Sequence, residues 1–149
     1  MIKKISIKTK VGWISVFEGK GKIFQIKFGK TKTQRKSRLL IKFKEKLNKS
    51  FNKKIPLAKI PHTMHGNKKQ IKIWNELKKI RKGKTRTYGE IAKKLGISPR
   101  YVGRVCGENK HVIVIPCHRV IRSDGSIGGF SAKGGIKLKE KLLRFEEGI

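Results

Sequence analysis

Acidic side chains are scarce in this chain: 9 Asp and Glu stand against 40 Lys and Arg in 149 residues, a formal charge of +31. Such a chain repels itself unless counterions or a polyanion screen it, and nucleic acid is the natural polyanion. The excess is not confined to one region, since residues 1–63 hold 19 basic and 2 acidic side chains (net +17) and residues 64–149 hold 21 and 7 (net +14). An even spread is also what a Lys-rich composition would produce, so charge names the class of partner and no more. Cysteine is nearly absent too. Cys106 and Cys117 cannot form a disulfide framework, which fits a reducing compartment and leaves either thiol available for chemistry. No stretch approaches the roughly 18 consecutive apolar residues of a membrane span, and the N-terminal MIKKISIKTK has no apolar core for a signal peptide. A soluble, cytoplasmic protein with no membrane partner is expected. The length excludes multidomain machinery and allows one domain or two small ones.

What apolar sequence there is falls into short patterned runs. Ile5 and Ile7, then Val11, Trp13 and Ile14, then Phe24, Ile26 and Phe28 alternate as strands do, with Gly19-Lys20-Gly21 as a hairpin turn between the last two. From about Thr33 to Lys49 the period changes, and Leu39, Leu40, Phe43 and Leu47 predict a basic amphipathic helix. Pro56, Pro61 and Gly66 then interrupt all periodicity, which puts a boundary near residue 63 and predicts domains at 1–63 and 64–149.

Beyond that boundary, Ile71, Ile73, Trp74, Leu77 and Ile80 predict a helix that stops by Gly83. Thr87 and Glu90 have capping-box spacing and open a short helix closed by Gly96; Ser98 and Pro99 open another as N-cap and first helical residue. Two short helices around a glycine-containing turn are a helix-turn-helix signature, with Arg100, Tyr101 and Arg104 on the second helix. His111 to Val120 reads as a β-branched strand ended by a sharp turn at Pro116, and Ile136 to Glu147 as a final helix with Leu138, Leu142, Leu143 and Phe145 on its apolar side.

Cys117 follows a proline and precedes His118 and Arg119. A thiol attacks as thiolate, and a neighbouring base or cation favours that form. Cysteine, imidazole and a carboxylate to orient the ring make an activated nucleophile, provided the backbone bends here or a water relays the proton. Two other readings of the cluster stand beside this one. Cys106, His111, Cys117 and His118 are four possible zinc ligands, in a C-x4-H-x5-C-H spacing that matches no usual framework. Cys117 could equally be a buried, inert cysteine.

The segment Ile115-Pro116-Cys117-His118-Arg119-Val120, followed eight residues on by Gly128-Gly129 and preceded by the helical hairpin, resembles the methylated-DNA–protein-cysteine methyltransferases, the O6-alkylguanine-DNA alkyltransferases. The resemblance runs almost continuously from residue 68 to 147, through Gln70-Ile71-Lys72-Ile73-Trp74 and Gly83 to Glu90. Over residues 1–63 it is one of layout alone. It implies an α+β protein with a small N-terminal antiparallel sheet and helix (ribonuclease-H-like) before a mostly helical, winged helix-turn-helix-like C-terminal domain. It further implies DNA repair by irreversible, single-turnover transfer of an alkyl group from O6-alkylguanine in double-stranded DNA to Cys117, by a monomer without cofactor or metal. His118 would be the base acting through water, Glu146 the carboxylate behind it, and Tyr88 the hydroxyl that assists the departing guanine. Asn109 would tie the recognition helix to the active-site turn. Arg100 would fill the stack vacated by the flipped nucleotide, beside Tyr101 and Arg104 as DNA contacts. Val120, Gly129, Phe130 and Ser131 would touch the flipped base. Three features depart from the family pattern: Tyr101 replaces a small residue, Phe130 replaces a tyrosine, and Ser131 to Gly135 is about two residues longer. Rival readings are a non-catalytic binder of damaged DNA, whose relatives lack the cysteine, and a general basic chromatin or RNA protein.

Overall fold

Alternating isoleucines give the first strands one oily face. β1 (Lys3–Thr9), β2 (Gly12–Gly19) and β3 (Lys22–Phe28) form an antiparallel sheet in the order β1-β2-β3. The β2–β3 hairpin turns on Lys20 and Gly21, at φ 51° and 77°, the left-handed pair that a tight hairpin requires. Ile5, Ile7, Ile14, Val16, Ile23 and Ile26 are buried, and α1 (Arg38–Asn52) packs on β1 and β2 with Leu40, Phe43 and Leu47 inward. Each such side chain contributes roughly 1.5–3 kcal/mol on leaving water. The helix starts later than the apolar period suggests, because the Ser37 hydroxyl accepts the Leu40 amide (3.1 Å) and caps it there. The residues before it line the β1 edge instead, where Lys4 and Arg35 exchange backbone hydrogen bonds of 2.9 and 2.8 Å.

The computed structural model describes residues 2–52, 60–129 and 134–148. They form two compact units, Met1–Met64 with Lys110–Val114, and His65–Asn109 with Ile115–Ile149. The return of Lys110–Val114 to the first unit corrects the strand expected over His111 to Val120. Within the first unit, Ile26 donates to the Lys110 carbonyl (2.8 Å) and accepts from Val112 (3.2 Å), a single bridge on the β3 edge. Ile113 then adopts φ 73°, a conformation a β-branched residue rarely takes and one that cannot continue a strand.

In the second unit, α2 (Lys68–Leu77) begins with a reciprocal capping box: Asn67 and Gln70 each accept the other's backbone amide at 2.8 Å. β4 (Arg86–Thr87) runs parallel to β5 (Val120–Ile121). Thr87 caps α3 (Tyr88–Leu95), Gly96 ends it at φ 69°, and Ser98 caps α4 (Pro99–Gly107), as the local sequence predicts. A short 3-10 turn at Cys117–Arg119 and α5 (Gly135–Glu147) complete an α+β chain. Among the described residues no helix is long and apolar enough to cross a membrane.

Candidate active site

The apolar run has already left strand geometry at Ile113, and Pro116 leads it into a turn. The Cys117 amide turns back onto the Ile115 carbonyl (2.8 Å) and that of Arg119 onto Pro116 (3.0 Å), so Cys117 and His118 lie in a tight turn, both buried. In this turn neighbouring side chains are freed from strand alternation, the condition the sequence requires for a Cys–His pair.

The sulfur accepts a hydrogen bond from Asn109 Nδ2 at 3.2 Å, and the same amide nitrogen donates to the Ile115 carbonyl at 2.7 Å. Burial pushes the Cys117 thiol up, against the pull of Asn109 and the charge of Lys139. The resting sulfur is therefore a protonated thiol that needs a base. His118 Nε2 lies 2.9 Å from Glu146 Oε1. Arg119 grips the same carboxylate with Nε at 2.9 Å and Nη2 at 2.6 Å, while its Nη1 donates to the Ile80 carbonyl at 2.7 Å. Burial by itself would raise the Glu146 pKa, but the hydrogen bonds from Arg119 and His118 prevail and hold it at about 2. An ionised Glu146 assigns the proton to His118 Nε2 and leaves Nδ1 as an acceptor. Burial lowers His118 below the usual histidine range despite Glu146, so the ring is neutral near pH 7. A neutral, oriented imidazole is the form in which a general base works.

Tyr88, at the start of α3, is pushed up to about 12, first by burial and then by proximity to Cys106 and Cys117. It stays protonated. Its oxygen accepts from Lys139 Nζ at 3.4 Å, which leaves the O–H hydrogen free to donate elsewhere. Lys139 itself is 0% exposed and also donates to the carbonyls of Val120 (2.7 Å) and Gly129 (3.3 Å). A cavity of about 980 Å³ opens among Tyr88, Arg100, Cys106, Cys117, Arg122 and Gly129. Gly128, at φ 79°, holds a left-handed conformation that favours glycine, with the Tyr88 ring at ordinary contact distance from where a Cβ would stand.

The expected residues thus divide. Cys117, Tyr88, Arg100 and Gly129 line the cavity; Asn109, His118 and Glu146 are linked to Cys117 or to one another behind it. Val120 is fully buried and presents its carbonyl to Lys139. Tyr101 lies beneath the Arg104 guanidinium (4.8 Å to the ring centroid) and near Lys69 (6.0 Å). Phe130 and Ser131 lie outside the described residues. Sequence reasoning missed Lys139 and took Arg119 as a cation beside the thiol, whereas its guanidinium grips Glu146. In α5 the buried positions are Lys139 and Leu142; of the four apolar residues expected there, Leu142 is buried and Leu138, Leu143 and Phe145 are half-buried. Lys139 stands three before Leu142 and seven before Glu146, so helical spacing put a cation on the inward stripe, a signal hidden by its three lysine neighbours in type, Lys133, Lys137 and Lys141. The second thiol of the cavity, Cys106, is pushed far up by burial. Among the described residues no three His, Cys, Asp or Glu side chains gather as a metal site would need.

The family model described as 6-O-methylguanine DNA methyltransferase, DNA binding domain, matches residues 68–148. A Saccharomyces cerevisiae protein named methylated-DNA–protein-cysteine methyltransferase is 41% identical over 96 residues, covering 62% of this chain and 50% of its own. A protein of the same name from Metallosphaera sedula is 36% identical over 104 residues, 70% of this chain and 65% of its own. The chain thus spans about half the length of the yeast relatives it matches. Among solved structures, the Mycobacterium tuberculosis OGT in complex with DNA superposes with a TM-score of 0.80 at 25% identity, covering 97% of this chain and 93% of that one. A variant of the O6-methylguanine methyltransferase of the same organism gives 0.81 at 27% identity, covering 99% and 93%.

Proposed function

Because this chain belongs to the 6-O-methylguanine DNA methyltransferase family, we propose that it repairs O6-alkylated guanine in double-stranded DNA by taking the alkyl group onto Cys117. The observation that carries the reading is the linked set Asn109–Cys117 and His118–Glu146–Arg119 beside a cavity bordered by Tyr88 and Arg100.

The thiol proton of Cys117 passes through a water to His118 Nδ1, and Glu146 stabilises the imidazolium that forms. Asn109 and the Lys139 cation favour the thiolate electrostatically. Sγ then attacks the alkyl carbon: the S–C bond forms as the C–O6 bond breaks, and the electron pair moves onto the guanine. Tyr88 donates its hydrogen toward the ring that gains this charge, and Lys139 behind the phenol offsets the charge left there. Because the sulfur cannot reach O6 inside a stacked duplex, the nucleotide must be everted into the cavity. Arg100, exposed at the cavity rim, fills the vacated stack. Among the described residues no group stands to cleave the thioether, so each molecule would act once, without cofactor.

Residues 64–149 would read the DNA as a winged helix-turn-helix-like domain and carry the chemistry, and residues 1–63 would form a ribonuclease-H-like companion. The chain would act as a monomer in the cytoplasm. The decisive experiment incubates the protein with a duplex oligonucleotide carrying O6-methylguanine and maps the cysteine peptides by mass spectrometry. One methyl group on Cys117 and none on Cys106 is expected. An intact lesion beside an unmodified Cys117, or equal repair by Cys117→Ser, would overturn the reading.

A further inference from the structure

The sheet of the first unit has a second face that alkyl transfer leaves unused. With Ile5, Ile7, Ile14 and Val16 in the core, the opposite face pairs Lys4 with Phe17, Ser6 with Ser15 and Lys8 with Trp13. A bulge in the β2–β3 ladder pairs Phe17 with Gln25 and Glu18 with Ile23, leaving Phe24 as an extra residue between the buried Ile23 and Ile26. Phe24 therefore turns to this face, its ring centroid 6.1 Å from that of Phe17. The segment after β3 crosses the middle, where Ser15 Oγ donates to the Gly29 carbonyl (2.6 Å) and Ser6 Oγ accepts the Thr31 amide (2.8 Å). Two aromatic ends remain, one with Trp13 exposed and one with Phe17 and Phe24 half-buried. At one, Trp13 is 36% exposed with Lys30 Nζ 4.7 Å from its ring centroid; at the other, Lys27 Nζ lies 5.2 Å from that of Phe17.

A solvent-side sheet face is ordinarily polar, and aromatic rings kept there forgo the gain of burial. Here each aromatic end has a flexible lysine ammonium group over a ring, which an incoming base would displace toward its own phosphate, in a segment of net charge +17. Rings on an open antiparallel sheet among lysines match the chemistry of single-stranded nucleic acid, whose bases are free to stack while its phosphates meet cations. A duplex offers only the phosphates. We propose that this face binds single-stranded nucleic acid, with bases stacking on Trp13 and on the Phe17–Phe24 pair and phosphates held by Lys8, Lys27 and Lys30. The proposal is independent of alkyl transfer.

The test uses the full chain and two unmodified labelled probes, an oligodeoxythymidine and a duplex of equal length, read by fluorescence anisotropy. Loss of one or two stacked bases in Trp13→Ala/Phe17→Ala should weaken single-strand binding about 10- to 100-fold, and Trp13→Phe should retain most of it. Duplex binding by the double variant should change by less than about 2-fold, because the phosphate contacts persist. Methyl transfer to a lesion duplex should equal that of the unaltered protein, which shows that the variant is folded and separates this test from the one above. In the unaltered chain, Trp74 is buried and Trp13 exposed, so the oligodeoxythymidine should quench tryptophan emission. Absence of quenching would overturn the proposal without any variant. So would equal losses from Lys8→Gln/Lys27→Gln and from Lys42→Gln/Lys46→Gln on α1 with no loss from the aromatic pair, since the binding would then be charge alone.

Discussion

Two buried carboxylates in the second unit have closely similar surroundings and different uses. Glu76, on α2, is met by Arg86 at 2.7 Å, Lys94 at 2.8 Å and Lys79 at 3.2 Å. Glu146, on α5, is met by Arg119 at 2.6 Å and His118 at 2.9 Å. In both, burial works to raise the pKa, hydrogen bonds from basic side chains overcome it, and the carboxyl is held at about 2. What separates them is the group on the far side. The Lys partners of Glu76 are largely exposed, whereas the imidazole held by Glu146 is buried and follows Cys117 directly. A depressed carboxylate pKa therefore marks a charge that burial has forced to pair; whether it serves chemistry depends on what it orients.

The sharpest way to break this contrast is to neutralise each carboxylate. Glu146→Gln should lower the single-turnover methyl-transfer rate by about 10²- to 10⁴-fold, the range for losing an oriented general base. Glu76→Gln should leave that rate within a few-fold and lower the melting temperature instead, because Arg86 and its neighbours lose their counter-charge. Equal rates for the two variants would erase the distinction.

Acid stability should unite what the rate separates. Both carboxyls have folded values near 2 against a usual 4.5, so the stabilisation is complete above about pH 4.5 and is lost as pH falls toward 2. It amounts to roughly 3 kcal/mol for each group. Denaturant unfolding at pH 6 and pH 3 should show this loss, diminished in either Gln variant. The transfer rate should follow a different group. Because His118 is held below the ordinary histidine value of 6.5, the acid limb of the rate profile should lie below pH 6.5 and be unmoved by Glu76→Gln.

The smallest effects concern the cations. Arg119→Lys removes the fork that grips Glu146 and should slow transfer about tenfold, through a tilted imidazole and with DNA affinity retained. Lys94→Ala, at a half-exposed pair, should cost under about 1 kcal/mol in stability and nothing in rate. A rate loss from Lys94→Ala would connect the two nodes.

Legibility from the sequence followed distance along the chain. The caps at Thr87 and Ser98, the stop at Gly96 and the Lys20-Gly21 turn were readable because each is a bond or dihedral within a few residues. The Asn67–Gln70 capping box had the same short range and lay just before the first apolar residue of the expected helix. The apolar run before Cys117 misled because burial and strand formation share the same residues. Val112, Val114 and Ile115 are buried as a β-branched run suggests, yet turns rather than a ladder carry them there. Glu146 came from resemblance, since it lies 28 positions after His118 and no local rule joins them.

The sequence by itself determined where α3 begins and ends and where α4 begins, which strand faces are oily, and that a thiol and an imidazole share one turn, because these depend on neighbouring residues. Tertiary structure alone decided that Lys139 would be buried among 40 basic residues, that Glu146 would set the tautomer of His118, and that burial would push Tyr88 from its ordinary 10 up to about 12. Protonation and orientation depend on the charges and solvent removed around a group, and those are brought in from remote parts of the chain.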